Sequence, residues 1–378
     1  MKRVILIFLL IFTTGCVIRA DYSKIDKHAE SVPPNLNNVK DITLYLTKNL
    51  NSPTDKVRAI YYWMAHAIRY DISKMNSNLT YTDTQQLVDE VLRTRKGVCA
   101  NYSALFNACC QSAGIQSYII EGYTRQYDKI SMLAHAWNAV YINGKFYNID
   151  VTWAAGFVRG NVYTHQFRDV FFMIEPDEFI KTHIPFDPIW QFSNNPITHK
   201  EFESGDFSKL TRISNFHFVD SITVQNGLSL TEKLMRENQR ILKYGITNSM
   251  IRTKVLQNKQ EITTEEYNTA VKYFNEGIKK FNDYIRYRNK QFNNLSMKDD
   301  EILNFLSSSR QLFESADQIL STLNQDKFDL KNPIQSMEKS IKGMIKNLDE
   351  EDAFMNQYVN TPKSNRLTLF FRKKESRK

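Results

Sequence analysis

RKGVCANYSALFNACCQSAGI, from Arg95 to Ile115, reads as a turn followed by a helix. Gly97 permits a sharp turn, and Cys99 falls at the expected helix N-terminus. Tyr102, Leu105, Phe106, Cys109 and Ala113 recur at spacings of three and four, which marks one apolar face. Gly114 is the expected stop. A thiol at a helix N-terminus feels the positive end of the helix dipole, which favours thiolate. By itself this pattern is equally that of a small buried cysteine at a helix start.

A second stretch, HAWNAVYINGKFYNIDVTW from His135 to Trp153, adds to it. Asn143-Gly144 is a strong hairpin signal, so strands are expected over His135–Ile142 and Lys145–Thr152. A two-residue loop sets Ile142 opposite Lys145, Trp137 opposite Asp150 and His135 opposite Thr152. Alternation then puts His135, Trp137 and Asp150 on one face, with His135 and Asp150 as diagonal neighbours. Ala136, Val140, Ile142, Tyr147, Ile149 and Val151 form the opposite, core-like face. Cys99, His135 and Asp150 thus have the residue types of a nucleophile, its base and the carboxylate that orients the base.

These blocks resemble the transglutaminase-like superfamily, in the order that family uses. The resemblance runs from about Asp55 to Gln191. It takes in RAIYYWMAHAIRYD (Arg58–Asp71), GVCANYSALF (Gly97–Phe106), GYTR (Gly122–Arg125) and FMIEPDEFIKTHIPFDPIWQ (Phe172–Gln191). The last is similar to an extension of the kyphoscoliosis-peptidase-type branch, in which His183, Pro185, Asp187 and Trp190 belong to a recurring pattern. The resemblance implies an α+β, papain-like core with a helix-borne cysteine packed on an antiparallel sheet. It also implies catalytic roles for Cys99, His135 and Asp150. Thiolate attack on an acyl carbon would give an acyl-enzyme, resolved by water or by an amine. Three functions follow: a thiol-dependent, cysteine-protease-like hydrolase of protein or peptide substrates, a cross-linking acyl transferase, or a silent binding scaffold. An oxyanion needs donors. The Cys99 amide is one candidate, with Gln85 and Gln86 as side-chain candidates.

Cys109 and Cys110 read as core, and Cys99 lies about 15 Å or more from both along the helix, too far for a disulfide. No C-x-x-C pair exists and the seven histidines are scattered, so no metal or other cofactor is expected. His66 reads as a part-exposed helix residue. His165 and His183 could approach the cleft, though nothing in the sequence places them there.

The chain has 378 residues, 42% hydrophobic and 24% charged, enough for two domains with cores. Lys2 and Arg3 precede an apolar run from Val4 to Phe12, and TTGC follows at Thr13–Cys16. This resembles a bacterial lipobox with Cys16 lipidated, apart from Thr13 where leucine is usual. Cleavage after Ala20 is the alternative. Export to the cell envelope is expected either way, with a lipid anchor tethering the chain to a membrane surface in the first case. The formal charge is +9, but the last sixteen residues hold seven cations against Glu375, so the basicity belongs to a tail and argues against nucleic-acid binding.

The expected organisation is a signal peptide at 1–15, a flexible lead at 16–38 and a catalytic domain at 39–205. A bridging segment with one more strand at Phe216–Val224 occupies 206–263. A helical domain at 264–358 and a basic tail at 359–378 follow. Apolar stripes over Tyr267–Phe292, Ile302–Leu323 and Ile334–Leu348 predict three long antiparallel helices, with Leu228–Leu242 as a fourth. A coiled-coil dimer or a docked protein partner is the alternative use of those stripes.

Overall fold

The computed structural model describes residues 21–75, 83–211, 217–292, 298–323 and 330–372. Residues 1–20, which include Cys16 and the expected signal, lie outside the described residues. The chain divides into two compact units between Phe218 and Val219.

The first unit opens with helices α1 (Ser23–Glu30), α2 (Val39–Leu46) and α3 (Pro53–Ala67), then a short strand β1 (Arg69–Tyr70). Helix α4 (Thr84–Thr94), strand β2 (Lys96–Gly97) and helix α5 (Cys99–Ser112) follow. Strands β3 (Ser117–Gln126), β4 (Lys129–Ile142) and β5 (Lys145–Ile149) come next, then helix α6 (Val151–Ala155). A small hairpin, β6 (Gly156–Arg159) and β7 (Val162–His165), precedes helix α7 (Pro176–Phe179), strand β8 (His183–Pro185) and helix α8 (His199–Ser204). The main sheet is antiparallel in the order β5-β4-β3-β8. Val140, Ile142 and Ile149 from it share one core with α2 to α5, including Ile60, Met64, Val91, Leu105 and Phe106. The α+β architecture expected from the sequence, with the cysteine-bearing helix α5 packed on an antiparallel sheet, is the one observed.

Two expectations for this unit are corrected. The segment read as a flexible lead contains α1, whose Ala29 is fully buried. Arg58, 3% exposed on α3, ties it down by donating to both Asp26 carboxylate oxygens while also pairing with Asp169. An arginine inside an apolar stripe carried that information, because a buried guanidinium needs carboxylates brought to it. The second hairpin strand stops at Ile149 instead of running to Thr152. The ladder follows the expected register from Ile142↔Lys145 to Asn138↔Ile149, then Asp150 leaves it as the N-cap of α6.

The second unit is helical. Helix α9 (Phe218–Asn226) spans the division and occupies the stretch expected to form a strand. Helices α10 (Leu230–Tyr244), α11 (Ser249–Asn289), α12 (Asp299–Thr322) and α13 (Lys331–Val359) pack on one another. Pairings of Tyr287 with Phe305 and Phe274 with Phe313 show that α11 and α12 run antiparallel. The expected stripes meet inside this unit, with Phe281, Leu306, Phe313, Ile341 and Leu348 buried. A bridging segment reaching 263 is therefore corrected: α10 and the first half of the 41-residue α11 belong to the bundle. A capping box at Ser229 and Glu232 was the sequence signal for α10. The basic tail is also partly structured, since helix α14 (Thr368–Arg372) buries Leu369, and Arg366 pairs with Asp299 and lies over Tyr358.

One close approach in the sheet positions the site. At Gly122, paired with Pro185, a Cβ would collide with the Ile184 carbonyl and lie 2.7 Å from the Pro185 Cα and the Trp137 ring. Gly122→Ala should therefore push β8 off β3 and cost about 1–3 kcal/mol in urea unfolding. A variant as stable as the parent would mean that β8 is free to retreat.

Candidate active site

Cys99 is the first residue of α5, and the turn before it is fastened from three sides. Val98 is extended, and its N–H donates to the Asn101 side chain at 3.0 Å. Asn101 is fully buried and donates onward to the Leu87 carbonyl and to Glu90. Gly97 pairs with Tyr70 between the parallel strands β1 and β2. The reason for glycine here differs from the expected one. Arg95, not Gly97, takes the left-handed conformation, with φ of 53°. At Gly97 it is the Asn101 side chain that leaves no room for a Cβ, which would sit 2.5 Å away.

His135 lies on β4 at the mouth of the sheet. Its Nε2 donates to Asp150 Oδ2 at 2.7 Å, and the Cys99 thiol lies within hydrogen-bonding reach of the ring. Nδ1 is the nitrogen left to face the sulfur. Asp150 is fully buried, and its other oxygen accepts the Trp153 amide at 2.9 Å. The structure thus brings Cys99, His135 and Asp150 together. Asp150 reaches His135 from a helix cap instead of from the neighbouring strand. An Asp followed three residues later by a helical N–H is an ordinary cap, and that signal was available in DVTW.

A fourth residue joins them. His183, on β8, is fully buried, and its Nε2 lies 3.2 Å from the same Asp150 Oδ2. Its ring stacks on Phe179 at 4.0 Å and packs against Trp153 at 4.4 Å. In the sequence it stood out as part of the HIPFDPIW pattern, but no spacing rule linked it to Asp150, 33 residues away. His165 instead bonds the Ala65 carbonyl, and His66 stacks on Tyr62. Gln85 and Gln86 are exposed on α4, with Gln85 bonded to Asp89, so neither supplies the oxyanion donor. The first-turn amides of α5 at Cys99 and Ala100 have no intrahelical acceptor and border the cleft.

The environments set the charges. Burial works against a proton on His135, but the Asp150 carboxylate, by charge and hydrogen bond, and then Cys99 override it and raise the pKa to about 10. Burial likewise opposes the charge on Asp150, yet His135 and then His183 hold its pKa below the usual carboxylate range. His183 goes the other way. Burial dominates, and despite Asp150 its pKa falls to about 4. At neutral pH the set is therefore an imidazolium, a carboxylate and a neutral imidazole. His135, Asp150 and His183 bring donor atoms within 4.8 Å of one another, a donor set that suits a transition metal. Both Nε2 atoms are turned onto Oδ2, however, and an ion there would have to break those hydrogen bonds.

Residues 40–151 match the family model of the transglutaminase-like superfamily core. This stretch is a transglutaminase-like domain. Kyphoscoliosis peptidase of Mus musculus is 29% identical over 197 residues, covering 50% of this chain and 29% of that protein. Hillarin of Drosophila melanogaster is 25% identical over 215 residues, 51% of this chain and 24% of its own length. The chain thus spans less than a third of these relatives. The crystal structure of a TGase is 20% identical and covers 41% of this chain and 38% of its own, with a TM-score of 0.25. The relatives place the domain in the kyphoscoliosis-peptidase-type branch, within a superfamily whose members are usually cysteine hydrolases or acyl transferases.

A pH dependence of stability follows. His135 holds its proton more tightly folded than unfolded, so its contribution is complete below about pH 6.5 and lost as pH rises to about 10. His183 acts in the opposite sense, as does the buried His199, which is also near 4 through burial. Their contributions are complete above about 6.5 and lost as pH falls toward 4, each on the order of 3 kcal/mol. Unfolding free energy measured in urea should therefore peak near pH 6.5 and fall on both sides. His199→Gln should flatten the acid limb and His135→Gln the alkaline limb. Unchanged limbs in these variants would refute the assignment.

Proposed function

We propose that this chain is a thiol-dependent acyl hydrolase of the cysteine-protease type, acting through an acyl-enzyme on protein or peptide substrates. The observation that supports it best is His135, held by Asp150 on one nitrogen and facing the Cys99 sulfur with the other. Trp137, Trp153 and His183 pack against the His135 ring, and Phe179 packs on Trp137 and His183 behind it.

The Cys99 sulfur attacks the acyl carbon, and the carbonyl oxygen takes up the negative charge, where the first-turn amides of α5 are the available donors. Collapse expels the amine, which takes the proton from His135 Nδ1. Water then gives a proton back to His135 as its oxygen attacks the thioester, and the free acid leaves with the sulfur regenerated. Asp150 stays ionised throughout and stabilises the imidazolium. Hydrolysis is favoured over transfer to an amine because Cys99 is part exposed on a cleft of about 520 Å³. Water has access to an acyl-enzyme formed there.

Iodoacetamide labelling with peptide mapping tests the nucleophile. Cys109 and Cys110 are fully buried, and burial pushes the Cys109 thiol up to about 12 and Cys110 well above its ordinary value. Cys99 should be modified at least about 100-fold faster than either, and His135→Ala should slow it about tenfold or more. Equal labelling of all three would favour a silent scaffold. With an acyl substrate, Asp150→Asn should lower kcat by about 10²–10⁴. Free acid as the product in the presence of a primary amine supports hydrolysis, whereas amine incorporation supports the transferase.

We further propose that the protein is exported and lipid-anchored through Cys16, on the strength of the basic, apolar and TTGC segments at its start. Among the described residues no helix is long and apolar enough to cross a membrane. Wild-type protein from a bacterial host should partition into the detergent phase of Triton X-114, and Cys16→Ala into the aqueous phase. Aqueous partitioning of both would overturn the anchor.

A further inference from the structure

The cleft that holds Cys99 continues beyond it. A second cleft, of about 540 Å³, shares Tyr70, Met75, Gln126, His135 and Trp153 with the first. The two are arms of one trough that meet at His135 and Trp153, and Cys99 lines the first arm beside that junction. One arm adds Lys74, Lys129 and Leu133, and the other adds Phe157, Arg159 and Arg168.

The charge along this trough is one-sided. Among the described residues neither arm is lined by an Asp or Glu side chain. Asp150 is fully buried and committed to His135 and His183. Asp128, on the β3–β4 hairpin, pairs with Arg125, and Glu90 pairs with Lys74. Lys129, Arg159 and Arg168 have no carboxylate partner among the described residues. Arg168 is also pre-set: its guanidinium donates to the Trp153 and Gly156 carbonyls and lies 4.9 Å from the Phe171 ring centre. Unpaired cations on both arms, beside aromatic walls of low polarity, concentrate positive potential where a substrate chain must lie.

We infer that the substrate is an extended acidic peptide segment, carrying Asp or Glu on both sides of the bond that Cys99 attacks. This rests on the acyl-hydrolase reading and assigns it a substrate class. Lys129 meets the carboxylates on one side of the bond. Arg159 and Arg168 meet those on the other, and the reacting carbonyl lies beside Trp153 at Cys99. A trough lined this way selects by attraction and also by repulsion, because a basic segment would bring like charges onto three unpaired cations.

The test uses the full chain and two peptide vinyl sulfones of equal length, one with glutamates on both sides of the electrophile and one with lysines. The second-order rate of Cys99 modification should be at least about tenfold higher for the glutamate peptide at low salt. The gap should shrink in about 0.5 M sodium chloride, where charges are screened within a few ångströms. Lys129→Glu and Arg159→Glu should each lower the ratio of the two rates several-fold. Equal rates at low salt, or a ratio indifferent to salt and to both substitutions, would overturn the acidic-substrate inference. Iodoacetamide separates this from failure of the reading beneath it. Selective modification of Cys99 by iodoacetamide with no preference between the peptides sinks the substrate class alone. Loss of that selectivity sinks the hydrolase and the substrate class together.

Discussion

The fully buried carboxylate of Asp150 organises the first unit. Removing an ionised carboxylate from water is costly unless its oxygens are satisfied. Here one oxygen takes the Trp153 amide, and the other takes two imidazole nitrogens at 2.7 and 3.2 Å. Those donors come from α6, β4 and β8, so meeting the needs of one side chain draws three elements to one point. The two histidines on Oδ2 do not share a protonation state. His135 also faces Cys99 and keeps its proton, while His183, sealed among Phe179, Trp137 and Trp153, stays neutral. Two like cations on one oxygen would repel, and the deeper burial of His183 decides which imidazole gives way.

The rest of the unit holds this point in register. Asn101 fastens the turn before Cys99 so that the sulfur leaves the helix start toward His135. Gly122 lets β8 come close enough to β3 for His183 to reach Asp150. Arg58 binds Asp26 of α1 and also Asp169, in the stretch that follows β7. These contacts are directional and polar. Apolar burial alone would hold the helices on the sheet but would tolerate displacements larger than a hydrogen bond allows. The helical unit follows another economy, with apolar stripes meeting along α11, α12 and α13 and few buried polar groups. Among those few, Tyr284 donates to Glu351, and Ser309 donates to the Gly277 carbonyl.

The residues themselves determined much of this. Periodicity placed α3, α5 and the long helices, because one apolar face per helix is a strong and local signal. Asn143-Gly144 set the hairpin register, because that turn needs positive φ at both positions, and both have it. The order of Cys99, His135 and Asp150 pointed to one site. Tertiary structure decided what lay beyond the reach of local rules. β5 ends earlier than its sequence suggests because a strand continuation and an N-cap both suit Asp150, and the choice depends on donors elsewhere in the chain. The lead became α1 because Arg58 needs Asp26. The bridging strand became α9, and part of the basic tail folded against Tyr358 and Phe292. His183 entered the site only through a sheet pairing 33 residues from its acceptor. Local sequence specifies turns, faces and caps, whereas which buried charge meets which partner is settled when distant segments are packed together and no group can be left unpaired.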